Sequence, residues 1–221
     1  MTTILASEKE LRKFFSSFHG QTCWNVCSCR MGHSLLLFFG GAVECLWHTA
    51  KGRPIKWFGG QYELLVYCSW RLDDEKHTPI CSSASSEYHE IKTTMISLEG
   101  DTIESIGIIP PVWEMTVYFS SGKQLRIFCD NMPSDYASAN CSCSSDKENY
   151  YIGAGQEIRK NKQRPHLVSD TIYTLDQIDL TFVSSDRDYK PMENDESRMS
   201  NHSKKKRKDS PKKRRTKNNS S

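Results

Sequence analysis

Leu11, Phe14, Phe15 and Phe18 recur at helical spacing and give the first segment one apolar face. Ser7 and Glu10 bracket its start as a capping box: the hydroxyl accepts from a first-turn amide and the carboxylate reaches back. Gly20 follows the last apolar position and stops the helix, since glycine takes positive φ at no steric cost. The same pattern returns eighty residues later. Ile91, Met95 and Leu98 mark a second helix from about Glu87 to Leu98, with Gly100 as its stop and the Ser82 to Ser86 run as loop and N-cap.

Strands follow each helix. Cys23 to Cys29 and Ile103 to Ile109 are the first of each set, Ser34 to Phe39 and Glu114 to Phe119 the second, Tyr62 to Trp70 and Gln124 to Cys129 the third. In Glu114 to Phe119 apolar and polar residues alternate, the period of a half-buried strand. Without a gap, Gly20, Thr22, Val26, Leu35, Leu37 and Phe39 fall on Gly100, Thr102, Ile106, Met115, Val117 and Phe119. After a hairpin of different length, Leu64 to Cys68 falls on Leu125 to Cys129. A chain that doubles one packing unit devotes these positions to a core. The expected fold is α+β: two duplicated α-β-β-β units forming antiparallel sheets with helices on one face, followed by a disordered basic tail.

The units divide as residues 1–80, 81–183 and a tail, 184–221. What differs between the copies is where function is sought. Ser121-Gly122 makes a tight hairpin in the second unit, whereas the first carries an insertion over residues 41–61 with Trp47, His48, Arg53, Trp57 and Phe58. Trp47, Trp57, Phe58 and Tyr62 have the composition of interface anchors, or of a cover for an open sheet edge. Asp73, Asp74 and Glu75 form a charged turn able to steer a basic partner.

Charge sharpens this division. Lys204 to Lys217 holds ten of the 30 basic residues and one of the 27 acidic ones, so the remainder carries 20 against 26, a net −6. Lys204, Lys205, Lys206, Arg207 and Lys208, then Lys212, Lys213, Arg214 and Arg215, are two basic clusters that fit a polyanion or, in a eukaryotic host, nuclear import. Hydrophobic residues nearly vanish after about Ser184, as in segments that cannot offset their ordering entropy. No export signal is read in Met1 to Ser17, so the nine cysteines are expected as thiols in a reducing compartment, the cytoplasm.

Several strings resemble a family of small bacterial proteins without an established activity: CWNV (Cys23 to Val26), SLLLFFG (Ser34 to Gly40), ELLVYCSWRLD (Glu63 to Asp73) and the run from Leu98 to Asp130. The resemblance covers roughly residues 10 to 155 and implies a compact intracellular domain, of a kind that in bacteria often works as an immunity or defence partner. Asn25 stands where that family commonly has glycine, and the basic tail is not part of its pattern.

Catalytic signatures are sparse. The chain has no P-loop, dinucleotide fingerprint, G-x-S-x-G or H-E-x-x-H. Cys27-Ser28-Cys29 and Cys141-Ser142-Cys143 would together offer four thiolates to zinc, but the spacing is short for a structural site and no metal or cofactor is expected. Cys68 and Cys129 occupy equivalent positions without an equivalent histidine, which favours structure over nucleophilic chemistry. The expected function is non-enzymatic capture of a protein partner by the aromatic insertion and acidic body. The rival is nucleic-acid association through the tail.

Overall fold

The computed structural model describes residues 4–28, 34–48, 53–84, 86–130, 139–153, 157–161 and 167–178. Two nine-residue helices, α1 (Glu8–Ser16) and α2 (Tyr88–Ile96), begin alike. Ser7 Oγ accepts from the Glu10 amide at 3.3 Å and Glu10 Oε2 accepts from the Ser7 amide at 2.9 Å. At α2 the cap is Glu87 rather than a residue of the serine run, and Glu90 Oε2 accepts from its amide at 3.2 Å. Gly20 (φ 77°) and Gly100 (φ 93°) follow the two helices in the left-handed region.

Thirteen strands form two antiparallel sheets among the described residues. They are β1 (Ile4–Leu5), β2 (Cys23–Ser28), β3 (Leu35–His48), β4 (Pro54–Val66), β5 (Ser69–Asp73), β6 (Pro79–Ser82) and β7 (Ile103–Ile109). Then come β8 (Glu114–Phe119), β9 (Gln124–Phe128), β10 (Ala139–Ser144), β11 (Asn149–Gly153), β12 (Ile158–Asn161) and β13 (Leu167–Tyr173). The larger sheet runs β1-β12-β11-β10-β4-β3-β13, with β2 also paired to β3; the smaller runs β6-β5-β9-β8-β7.

The sheets meet where the helices end. Thr22 and Thr102 form an isolated antiparallel bridge, their hydroxyl oxygens 3.2 Å apart. Around it the bonds come in reciprocal pairs. Gly20 N donates to Ile103 O (2.9 Å) and Gly100 N to Cys23 O (2.8 Å); Cys23 N donates to Asp101 O and Ile103 N to Gln21 O. Gly40 N to Thr22 O and Ser120 N to Thr102 O repeat the relation once more.

Each helix also protects the edge strand of the opposite half. From the α1 side, Arg12 Nη2 donates to Ile108 O at 3.1 Å and the His19 ring bonds Glu104 O at 2.7 Å, so β7 has two edge carbonyls covered. From the α2 side, Glu99 accepts from Val26 N at 3.1 Å and Tyr88 donates to Ser28 O at 3.4 Å along β2. Edge groups answered in this way are withheld from other chains.

One core joins the sheets and both helices. Leu11, Phe18, Leu35, Leu37, Phe39, Ile91, Leu98, Val117 and Leu125 are fully buried in it. The Phe18 ring meets Phe39 and Tyr62 at 6.2 and 4.9 Å, and the Phe14 ring lies 4.5 Å from Tyr150. Each buried phenylalanine contributes roughly 1.5–3 kcal/mol. Both helices therefore touch both sheets instead of lying on one face of a single sheet.

Three further expectations are corrected. The insertion 41–61 is not a loop: β3 and β4 continue through it as a ribbon, because a bulge between Phe39 and Ala42 lets the ladder resume. Tyr62 to Trp70 is not one strand, since the chain leaves the larger sheet at Tyr67 and enters the smaller one as β5. Cys141 and Cys143 lie on strand β10, inside the core, and not in a loop. A 3-10 turn, Leu175–Gln177, follows β13. The tail, 184–221, lies outside the described residues. Among the described residues no helix is long and apolar enough to cross a membrane.

Candidate partner-binding face

Strand β4 sorts the aromatic residues by alternation. Phe58, Tyr62, Leu64 and Val66 share one face, and Ile55, Trp57 and Glu63 the other. Tyr62 packs on Phe18 and belongs to the core margin. Phe58 is half-buried and meets Tyr173 of β13 edge-on at 5.7 Å. Trp57, also half-buried, lies on the opposite face. Trp47 is placed by its backbone opposite Ile55; its side chain lies outside the described residues.

On this outer face the structure adds two aromatics that the sequence reading passed over. Trp24 of β2 stacks on Phe38 of β3 (5.4 Å, 22°), and Phe38 meets Trp57 at 5.7 Å. The row Trp24–Phe38–Trp57 crosses three strands. Both tryptophans are half-buried, and the N–H of each is enclosed with no hydrogen-bond acceptor among the described residues. A buried indole usually finds one. Beyond the row, Ile55 (39% exposed) and Ile172 (43% exposed) extend the apolar surface onto the ribbon and β13. The signal for this second face was the run Leu35 to Phe39, apolar at every position where a half-solvated strand would alternate.

The acidic turn is placed elsewhere, on the smaller sheet. Asp73 is fully buried, its carboxylate held by Arg71 and Arg126, so its charge is engaged within the sheet and is not offered to a partner. Asp74 Oδ1 accepts from the amides of Lys76 and Thr78 (2.9 and 2.8 Å) and organises the turn. Glu75 is exposed. The basic clusters Lys204 to Lys208 and Lys212 to Arg215 lie outside the described residues.

The cysteines gather in a way the sequence did not indicate. Cys68, Cys129, Cys141 and Cys143 form one buried group whose thiols act on one another, and Cys129 Sγ donates to Trp113 O at 3.1 Å. Hydrogen bonding from Cys129 and burial push the Cys68 thiol far up; hydrogen bonding with Cys141 does the same for Cys129. Burial raises Cys23 and Cys81. Protonated, enclosed thiols are poor nucleophiles. Among the described residues no group of three or more His, Cys, Asp or Glu is arranged to hold a metal, and half-buried Cys27 sits on β2 apart from the core pair on β10.

Comparison of the chain with protein-family models, curated proteins and solved structures returned no match in any of the three.

Proposed function

We propose that this chain is a non-enzymatic binding protein that captures a protein partner on the face formed by Trp24, Trp57 and Ile55 over the buried Phe38. The observation that carries this reading is the row of half-buried tryptophans beside exposed aliphatic side chains. Tryptophan, with its large apolar ring and polar N–H, is enriched among the anchors of protein interfaces. The two α-β-β-β stretches are copies of one unit in this proposal. The reciprocal bonds around Thr22 and Thr102 support that, and so do the equal strand registers described below. The ribbon is then the part added to one copy. The resemblance of residues 10 to 155 to small acidic bacterial proteins points to an immunity or defence role in the cytoplasm.

Photo-crosslinking from position 55 in the full chain tests the assignment. A partner trapped there should be lost from Trp57→Ala while the melting temperature moves little. A partner trapped equally well by Trp57→Ala removes this face as the site.

The basic clusters between Lys204 and Arg215 support a second reading, association with nucleic acid or another polyanion. It predicts retention on DNA and heparin that falls steeply with salt and disappears in a chain ending at Ser203. Persistence in the shortened chain would move the contact to the body.

A further inference from the structure

The outer face of the smaller sheet carries a different chemistry. Trp70 and Leu72 of β5 enter the core, which places Arg71 and the buried Asp73 on the opposite face of the sheet. Strand pairing then lines up one residue from each of the five strands: Ser82, Arg71, Arg126, Thr116 and Gly107. Arg71 and Arg126 stand directly opposite each other, an arrangement of like charges that destabilises a sheet unless an anion lies between them.

Asp73 supplies one such anion. Arg71 donates to it as a fork, Nε to Oδ1 at 2.7 Å and Nη2 to Oδ2 at 3.0 Å. Arg126 Nε lies 2.9 Å from the same Oδ2, but its N–H is not aimed at that oxygen and makes no hydrogen bond. Its Nη2 reaches Gln124 Oε1 only at 3.5 Å. One carboxylate thus serves two guanidiniums and leaves a charge of +1. The carboxylate is fully buried, while the arginines keep 35% and 39% of their side-chain surface. Arg126 Nε is itself enclosed, so the surface the two side chains keep belongs to the rest of each, held in place by the shared carboxylate.

The surroundings fit a compact acceptor. Next to Arg126 the row continues with the half-buried Thr116 hydroxyl and ends at Gly107, where a Cβ would meet nothing closer than Tyr118 Cε2 at 3.5 Å. Tyr118, 37% exposed, stands opposite Gln124 in the adjoining row, and exposed Glu114 bounds the other side. A guanidinium fork beside a hydroxyl matches the oxygens of a phosphate. An extended polyanion is disfavoured, because outside Lys204 to Lys217 the chain has 26 acidic against 20 basic residues. A single phosphate places its charge on the only pair of directly opposed arginines among the described residues.

We propose that Arg71, Arg126 and Thr116 form a binding site for one compact phosphate group, oriented by the buried Asp73. The site is independent of the aromatic face.

Calorimetric titration of the full chain with inorganic phosphate and, separately, with adenosine 5′-monophosphate tests it. Saturable binding at one site is expected, weakened at least tenfold in Arg126→Gln, about fivefold in Arg126→Lys, which keeps the charge but loses the fork, and about threefold in Thr116→Val. The basic tail is common to all variants, so its background cancels. Thr116→Val touches no ion pair and keeps the test valid if Arg126→Gln does not fold. Tighter binding of the nucleotide supports an ester ligand that uses Tyr118; equal binding supports a free phosphate or phosphate end group. Absence of saturable binding, or unchanged affinity in all three variants, overturns the proposal.

Discussion

At their bases the β3–β4 and β8–β9 hairpins are built alike. Leu35 faces Val66 and Leu37 faces Leu64, as Met115 faces Ile127 and Val117 faces Leu125. All eight are buried in the common core. Beyond Phe39 and Phe119 the two part. The second turns back at once, with Phe119 N bonded to Lys123 O, whereas the first bulges and runs on to His48 and Pro54 before returning. The base must satisfy the interior, where volume and register leave little choice. The tip faces no such demand, and there half-buried Trp57 and exposed Ile55 share one face of the longer hairpin.

The comparison is tested hardest in the core. Phe18 and Leu98, eighty residues apart and each just after a helix, are both fully buried. Phe18→Ala should cost about 3–5 kcal/mol and Leu98→Ala about 2–5 kcal/mol in denaturant unfolding. A near-neutral result at either position would break the equivalence of the two halves.

The hairpin tips should then separate the two by function. Trp57→Ala is expected to weaken partner binding by about 2 kcal/mol or more, as for an interface anchor. Tyr118→Ala, on the outward face of the shorter hairpin, should leave partner affinity unchanged. Equal losses at both would make the ribbon no more special than its counterpart.

Smaller effects come from Cys68 and Cys129, which stand at corresponding ends just after β4 and β9. Both thiols titrate far above the ordinary range in the folded chain, chiefly through thiol–thiol hydrogen bonds. The unfolded chain ionises them from about pH 8.5, so stability should hold below that pH and fall as pH rises past it. The slope is about 1.4 kcal/mol per pH unit for each fully shifted thiol. Unfolding midpoints measured at pH 7.5, 9 and 10 should fall less steeply in Cys68→Ala and Cys129→Ala. A slope unchanged by both substitutions would locate the alkaline sensitivity elsewhere.

The smallest expected effect is at the helix caps. Hydrogen bonding from the Ser7 backbone and side chain lowers the Glu10 carboxyl. Its contribution is present above the unfolded pKa and is lost as pH falls through the folded value. Helical circular dichroism of Glu10→Gln should therefore match the parent at low pH and fall slightly below it near neutrality. A difference confined to low pH would contradict this sign.

Several of these features were visible in the spacing alone. The helical periodicity of Leu11, Phe14, Phe15 and Phe18, the capping residues Ser7 and Glu10, and the stops at Gly20 and Gly100 all act within a few residues, and each is where the pattern put it. The site was less legible. Trp57 was marked as an anchor, but Phe58 and Tyr62 point to the opposite face, and Trp24 and Phe38 enter only because β2, β3 and β4 pair side by side. Asp73 read as a solvated acid because the chain gives no sign that Arg126, 53 positions away, pairs directly opposite Arg71.

Local order was thus determined by the sequence: where helices begin and stop, which strand residues face inward, and that the tail differs in composition from the body. Tertiary structure decided that the insertion is a ribbon, that the two sheets meet at Thr22 and Thr102, and that four cysteines share one cluster. The reason lies in the range of the forces. Caps and periodicity act between near neighbours in the chain, whereas register, edge protection and the pairing of buried charges depend on segments that come together only when the core closes.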